Sequence, residues 1–329
     1  MSNAIDKLDH VVIKYYAMSD REKFEIGVLH ELEPVVEANL NRHLDLAKPW
    51  NPHDYVPWSK GRDFEFLGGE DWDPEQSKLS PDAQLAMTLN LLTEDNLPSY
   101  HRIISEQFGR DRAWGQWVGQ WTAEEGRHAV AMRDYLVVTR GVDPVGLERL
   151  RMEHMVRGYD RKTDGVLEAI SYVTFQELAT RVSHRNTGRA CNDPIAEGLL
   201  TRIATDENLH MVFYRNLGKA ALEIAPNEMM QAIASEVANF QMPGEDLPNF
   251  ARNSVQIANA GIYTPTQHLK EVLSPVLKYW GIFDLGGLSA EGEQAREALH
   301  TSLGKLSVVS GRFEERRARQ QAAASDRAV

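Results

Sequence analysis

Beyond its N-terminal segment the chain reads as one amphipathic helix after another. Apolar residues recur at three- and four-residue steps between breaks of proline and glycine. Trp114, Val118, Trp121, Glu125, His128, Met132 and Tyr135 alternate steps of four and three, which keeps them on one helix face. Leu199 or Leu200, Ile203, Glu207, His210, Tyr214 and Leu217 repeat the pattern. So do Met87, Leu91 and Glu94, and again Val166, Ile170, Val173, Glu177, Thr180 and His184. Start signals agree with these stripes. Ser80-Pro81-Asp82 offers a serine cap with proline at the first helical position, and Asp193-Pro194 repeats it before a segment to about Leu222. Asp111 is placed to cap a helix running until Gly141, and Pro226 opens another. Segments near 247–261 and 265–281 are also predicted helical, bounded by Gly261 and Pro265. Residues 47–80, rich in proline, glycine and aromatics, predict a long wrapped loop, and strand signals are weak. From Glu314 the polar, small-residue stretch predicts frayed helix or disorder. The expected organisation is all-α: one helical domain over 1–313 and a polar tail over 314–329.

Composition narrows the chemistry. With 42% hydrophobic and 26% charged residues in 329, the chain is ordinary for a globular protein. Cys191 is its one cysteine, which excludes a disulfide framework, a four-thiolate zinc site and a thiolate-held iron–sulfur cluster. A net charge of -12 argues against nucleic acid as a partner, while leaving room for a local basic patch. No apolar run approaches the roughly 18 residues of a membrane span. The N-terminus has neither a secretory pattern nor the basic character of a transit peptide, so a cytoplasmic location is expected. No Gly-x-Gly-x-x-Gly fingerprint or P-loop occurs, so neither flavin nor nicotinamide is expected on this chain. The eleven histidines are scattered, which excludes the His-Glu-x-x-His zinc motif. Any metal chemistry must draw on carboxylates and a few imidazoles.

Two polar residues interrupt each of two apolar stripes. Glu125 with His128, and Glu207 with His210, sit one turn apart where their neighbours are large and apolar. Burying such a pair is costly unless a cation joins it. Glu-x-x-His alone is a weak motif, and the third instance, Glu297/His300, is read as a solvated chance match. The discriminating feature lies upstream. Glu94 precedes Glu125 by 31 residues and Glu177 precedes Glu207 by 30, so a helix with one glutamate followed by a helix with Glu-x-x-His occurs twice. Four such helices in a bundle would gather Glu94, Glu125, His128, Glu177, Glu207 and His210, the constellation of di-iron carboxylate bundles. Four carboxylates against two divalent ions are neutral, and hard oxygen donors with one imidazole per metal suit iron, with manganese as the alternative. The competing reading is a bundle whose buried carboxylates are neutralised by arginine or tyrosine.

The residues around these positions resemble the soluble acyl-carrier-protein desaturases, including the actinobacterial branch. The resemblance rests on Thr93-Glu94-Asp95-Asn96-Leu97-Pro98-Ser99-Tyr100, Trp121-Thr122-Ala123-Glu124-Glu125-Gly126-Arg127-His128, Phe175-Gln176-Glu177-Leu178-Ala179-Thr180-Arg181 and Asp206-Glu207-Asn208-Leu209-His210, in order and at the right intervals, from about Leu32 to about Ala290. It implies a ferritin-like four-helix di-iron bundle with additional flanking helices, whose ligands are the six residues above. In it, Glu125 and Glu207 would be the carboxylates shared between metals. Thr180 would stand beside the oxygen-binding side of the cluster, although a hydroxyl bonded to the carbonyl one turn back explains it equally well. Asp206, which directly precedes Glu207 and so points aside from the seam, would hold the metal-bound His128. Trp50 would correspond to a surface tryptophan that starts the electron route through that pair, against a plainer role in loop packing. Glu124 takes the parallel place in the first repeat, as a partner for His210. His184 is assigned a structural role, because two imidazoles already complete the pattern.

The resemblance implies insertion of a cis double bond into a saturated acyl chain held on acyl carrier protein, with O2 as oxidant. It further implies two electrons from a separate ferredoxin-type carrier, and a homodimer. An acidic carrier meeting an acidic chain needs a local basic patch, for which Arg149, Arg151, Arg157, Arg161 and Lys162 are candidates, ahead of Arg181, Arg185 and Arg189. A di-iron hydroxylase and a catalytically silent helical scaffold are the rival readings.

Overall fold

The computed structural model describes residues 18–159, 165–245, 247 and 249–327, apart from the side chains of 321 and 323–327. Arg161 and Lys162, two of the candidate basic residues, lie outside the described residues. Helix α1 (Asp20–Leu46) begins with a reciprocal cap between Ser19 and Glu22. Four short 3-10 turns then punctuate the loop region predicted over 47–80. There follow α2 (Pro81–Asp95), α3 (Leu97–Phe108), α4 (Arg112–Val138), α5 (Pro144–Arg157), α6 (Val166–Ala190), α7 (Pro194–Ile224), α8 (Pro226–Asn239) and α9 (Phe250–Asn259). A composite helix, α10, joins Pro265–Gln267, a π-helical His268–Leu273 and Ser274–Trp280, and α11 (Ala290–Arg327) completes the order. No strand occurs among the described residues, and no helix of them is long and apolar enough to cross a membrane.

Helices α2, α4, α6 and α7 carry the stripes and form the bundle. α6 and α7 pack as an antiparallel pair across a tight turn at residues 191–193, where Asn192 adopts φ 48°. Asp193 caps α7 by accepting from the Ile195 N–H at 2.9 Å. α1 lies across α7 and α4, while α8 packs on α6 and receives α11. Two apolar cores result. Trp114, Val118 and Trp121, ahead of Glu125, belong to the larger core together with Tyr214 and Leu217, which follow His210. Met132 and Tyr135, beyond His128, belong to the smaller one together with Leu199, Leu200 and Ile203, which precede Glu207. Opposite helix directions thus bring the polar interruptions of α4 and α7 to the same height, between the two cores.

Several local expectations change. Asp111 stands at the start of α4 but its side chain accepts no capping bond; instead Glu33 of α1 reaches the Ala113 N–H at 2.9 Å. A tertiary carboxylate has replaced the local one. Helix α5 gave no stripe, and it is fixed by Asp143, which accepts from the Val145 N–H at 3.0 Å. The helix predicted from 247 begins at Phe250. From Glu314 the chain continues α11 to Arg327. Arginine, glutamine and alanine favour helix intrinsically, and the Thr266 hydroxyl ties Glu314 to α10 at 2.6 Å.

Candidate metal centre

Each helix of the bundle delivers its polar residue for a local reason. Glu94 sits in the last turn of α2, which cannot run on unbroken because Pro98 follows in the first turn of α3. Glu125 and His128 are one turn apart on the inward face of α4, and Glu207 and His210 on that of α7. Glu177 is at the middle of α6, fully buried. The structure brings these six together as two overlapping quartets: Glu94, Glu125, His128 and Glu207, and Glu125, Glu177, Glu207 and His210. In each, the donor atoms lie within 4.8 Å of one another. Glu125 and Glu207 belong to both.

The two histidines present the same nitrogen inward. His128 Nδ1 is 3.5 Å from Glu125 Oε2 and 3.4 Å from Glu207 Oε1. His210 Nδ1 is 2.9 Å from Glu125 Oε1 and 3.4 Å from Glu177 Oε2. Their outer nitrogens meet carboxylates: His128 Nε2 lies 3.3 Å from Asp206 Oδ2, and His210 Nε2 lies 2.8 Å from Glu124 Oε2. Glu124 and Asp206 each directly precede a carboxylate common to both quartets, so a helical step of one residue turns them to the far side of the opposite histidine. An outer carboxylate fixes the ring's tautomer and orientation, leaving Nδ1 free to coordinate.

Burial and like charge together govern the ionisation of this cluster. Burial pushes the Glu94 carboxyl up to about 8, helped by the negative charge of Glu125. Burial raises Glu177 well above the usual range, with Glu207 and Glu125 adding to it. For Glu207 burial acts upward too, but the His128 and His184 imidazoles, 3.4 and 3.6 Å from its Oε1, overrule it and hold the carboxyl well below its ordinary value. Burial lowers His128 and His210, yet bonds to Asp206 and Glu124 respectively carry both well above the usual imidazole range. Five buried inward atoms make no hydrogen bond: Glu125 Oε1, His128 Nδ1, Glu177 Oε2, Glu207 Oε1 and His210 Nδ1. Buried polar atoms ordinarily find partners. Orphaned donors of ligating type, all on the inner faces of two quartets, fit a pair of cations.

The other predicted residues also surround the cluster. The Thr180 hydroxyl lies 3.0 Å from the Glu177 carbonyl and 3.2 Å from Glu207 Oε2, so it serves both the backbone and the cluster. The Trp50 indole donates to Asp206 Oδ2 at 2.7 Å. It is not at the surface, however. Trp50 is only 5% exposed, because the Arg127 guanidinium stacks 4.6 Å over its ring and Tyr55 packs edge-on against it. Arg127 and Arg202 both bind Asp206, which stays ionised despite its burial.

Three contacts were not foreseen. His43 of α1 donates from Nε2 to the Glu124 carboxylate at 3.0 Å and stacks on His210 at 5.7 Å, and no spacing in the sequence links α1 to the bundle. The Trp121 indole donates to Glu177 Oε1 at 3.0 Å, and His184 Nε2 lies 3.0 Å from Glu94 Oε1. Both residues belong to the stripes, which was the available signal. Of the candidate basic residues, Arg151 is committed to Asp95 and Glu148 within the protein. Beside the cluster runs a largely apolar cavity. Its walls include Ile103, Ile104, Ala169, Tyr172 and Val173, and at one side it reaches Glu94, Glu125 and Thr180.

A helical bundle with a buried glutamate and histidine cluster between two apolar cores, open to an apolar cavity, defines a class of protein suited to a di-metal centre. The model of the fatty acid desaturase family matches residues 24–328, and this chain belongs to that family. It is 53% identical over 304 residues to DesA1 of Mycobacterium tuberculosis, provisionally named an acyl-[acyl-carrier-protein] desaturase, covering 90% of either chain. It is similar to the X-ray structure of DesA2 from the same organism, which carries the same provisional description: TM-score 0.67, 38% identity, 82% of this chain and 99% of that one covered. A palmitoyl-[acyl-carrier-protein] 4-desaturase of Ophrys sphegodes is 32% identical over 296 residues, 84% of this chain and 77% of that protein.

Proposed function

We propose that this chain is an acyl-[acyl-carrier-protein] desaturase that places a cis double bond in a saturated acyl chain. The observation that carries the reading is the largely apolar cavity lined in part by Glu94, Glu125 and Thr180, which would place an aliphatic chain beside the cluster of six converging donors. The relatives named as acyl-[acyl-carrier-protein] desaturases support it. The reaction consumes one O2, two electrons and two protons with two hydrogens from adjacent carbons, and yields the alkene and two waters.

The six residues would hold two iron ions, manganese being the alternative, with Glu125 and Glu207 facing both positions, Glu94 and His128 one, Glu177 and His210 the other. When bound, the ions supply the oxidising power for unactivated methylenes that no side chain possesses. Everything else is positioning. The cavity walls would align one pair of methylenes and keep water away from the cluster. Asp206 and Glu124 would orient His128 and His210. Thr180, whose hydroxyl reaches Glu207, would order the cluster face that meets the cavity. Trp50, in contact with Asp206 and through it with His128, would pass electrons inward from a ferredoxin-type donor. The acyl carrier would dock at exposed basic residues such as Arg149, and the working unit would be a homodimer in the cytoplasm.

The test is direct: iron-loaded protein, reduced ferredoxin, O2 and stearoyl carrier protein, with products read by mass spectrometry. An unsaturated acid is expected. A hydroxylated acid would replace this reading with that of an oxygenase, and no product across several chain lengths would overturn both.

A further inference from the structure

Glu94 and Glu177 each belong to one quartet only, and each has one oxygen already taken. Glu177 Oε1 accepts from the Trp121 indole at 3.0 Å, while Oε2 is buried without a partner and lies 3.4 Å from His210 Nδ1. Glu94 Oε1 lies 3.0 Å from His184 Nε2, while Oε2 turns towards His128 Nδ1 at 3.9 Å. In both cases a ring N–H from another helix of the bundle holds back one carboxylate oxygen and leaves its twin on the inner face. The two donors differ in chemistry. An indole N–H can only donate. An imidazole must be told which nitrogen carries the proton, and the surroundings of His184 do so. The Ser183 hydroxyl donates to Asn90 Oδ1 at 3.1 Å, which leaves the Asn90 amide N–H groups for His184 Nδ1 at 3.3 Å and Thr187 Oγ1 at 3.2 Å. With Nδ1 accepting, Nε2 carries the proton and donates to Glu94. His184 is 1% exposed and its contacts are all internal, so the arrangement is fixed by packing.

We infer that His184 and Trp121 are positioning residues for the metal centre, each presenting a single oxygen of its glutamate, Glu94 or Glu177, to one metal position. This rests on the di-metal reading above. It makes the two positions alike at their outer carboxylates although the residues that enforce it are unlike. It also gives His184 a role that its place in an apolar stripe does not suggest.

Cobalt(II) titration of the metal-free protein tests this without turnover, by calorimetry and by the visible bands that report coordination. The wild type is expected to take up two ions. His184→Phe, which keeps the ring volume and loses the donor, should weaken one of the two sites about 10- to 100-fold and alter its visible band. Trp121→Phe should do the same to the other site. His184→Gln, whose amide can still donate to Glu94, should restore affinity to within about threefold of wild type, which a mere packing role would not predict. Should His184→Phe fail to fold by circular dichroism, Asn90→Ala replaces it, since it removes the group that orients the imidazole, and weaker binding at one site is again expected. A wild type binding fewer than two ions would defeat the di-metal reading itself. A wild type binding two, with folded His184→Phe or Asn90→Ala matching it in affinity and spectrum, would overturn the inference alone.

Discussion

The indole N–H of Trp50 donates to Oδ2 of Asp206 at 2.7 Å, and the same oxygen lies 3.3 Å from His128 Nε2. One carboxylate atom therefore joins a loop residue to an inward-facing histidine, with Arg127 and Arg202 holding the carboxylate in place. If this contact carries electrons, Trp50→Phe should separate electron delivery from chemistry. The aromatic volume and the stacking beneath Arg127 survive, while the hydrogen bond is lost, at a cost of about 1–3 kcal/mol if Asp206 is left under-satisfied. Turnover supported by ferredoxin should fall by about tenfold or more, equivalent to at least about 1.4 kcal/mol on the barrier. Single-turnover yield from chemically reduced protein should remain. Equal loss in both experiments would place Trp50 in packing only.

Filling the centre should stabilise the fold, because the orphaned inward atoms of Glu125, Glu177, Glu207, His128 and His210 gain partners. Saturation at about a hundred times the dissociation constant adds roughly 2.7 kcal/mol per site. A thermal melt with ferrous ion under anaerobic conditions should therefore shift upward by several degrees. Glu207→Gln removes a carboxylate common to both quartets, and should lose most of that shift and at least about a hundredfold in turnover. Its metal-free circular dichroism should match the wild type, because glutamine is nearly isosteric. A full thermal shift in this variant would mean that the ions bind elsewhere.

The six donor positions were legible because a buried bundle imposes a strict period, so Glu125, His128, Glu207 and His210 stand out as polar members of stripes otherwise made of Trp, Leu, Ile and Tyr. The doubling of the pattern did the rest. What could not be read is what depends on contacts remote in sequence. His43 meets Glu124 across 81 residues, and Glu33 caps α4 from 80 residues away. Neither leaves a local signature, since histidine and glutamate on α1 look like ordinary surface positions. The burial of Trp50 is of the same kind: two arginines from different helices cover it, and only the assembled bundle brings them there.

Where α7 passes α10, Gly218 lies against the face of Trp280, whose indole donates to the Arg215 carbonyl at 2.8 Å. A Cβ at 218 would come within 2.6 Å of a Trp280 ring carbon. In an open helix, glycine to alanine is worth about 1 kcal/mol in favour of alanine. Here the ring is fully buried and hydrogen-bonded, so overpacking of about 1–3 kcal/mol should win. Gly218→Ala is expected to lower the denaturant midpoint at unchanged slope, a net loss of stability of up to about 2 kcal/mol. Trp280→Leu in the same background should relieve part of it, and a stabilised single variant would show that the two helices have room to separate.

Acid stability should carry the mark of His268, at the start of the π-helical segment. Burial depresses its imidazole from the usual 6.5 to about 4; the ring packs on Phe240 at 4.7 Å between centroids and meets the Tyr263 hydroxyl at 2.9 Å. Between those two values the unfolded chain binds a proton at this position and the folded chain does not. The neutral ring's contribution is thus complete above pH 6.5 and is lost progressively as the pH falls towards 4. It amounts to about 3 kcal/mol at most. Unfolding free energy measured from pH 7 down to 4 should therefore decline, and His268→Gln, which cannot take up the proton but can still bond Tyr263, should flatten the curve. A parallel decline in both proteins would assign the acid sensitivity to other groups.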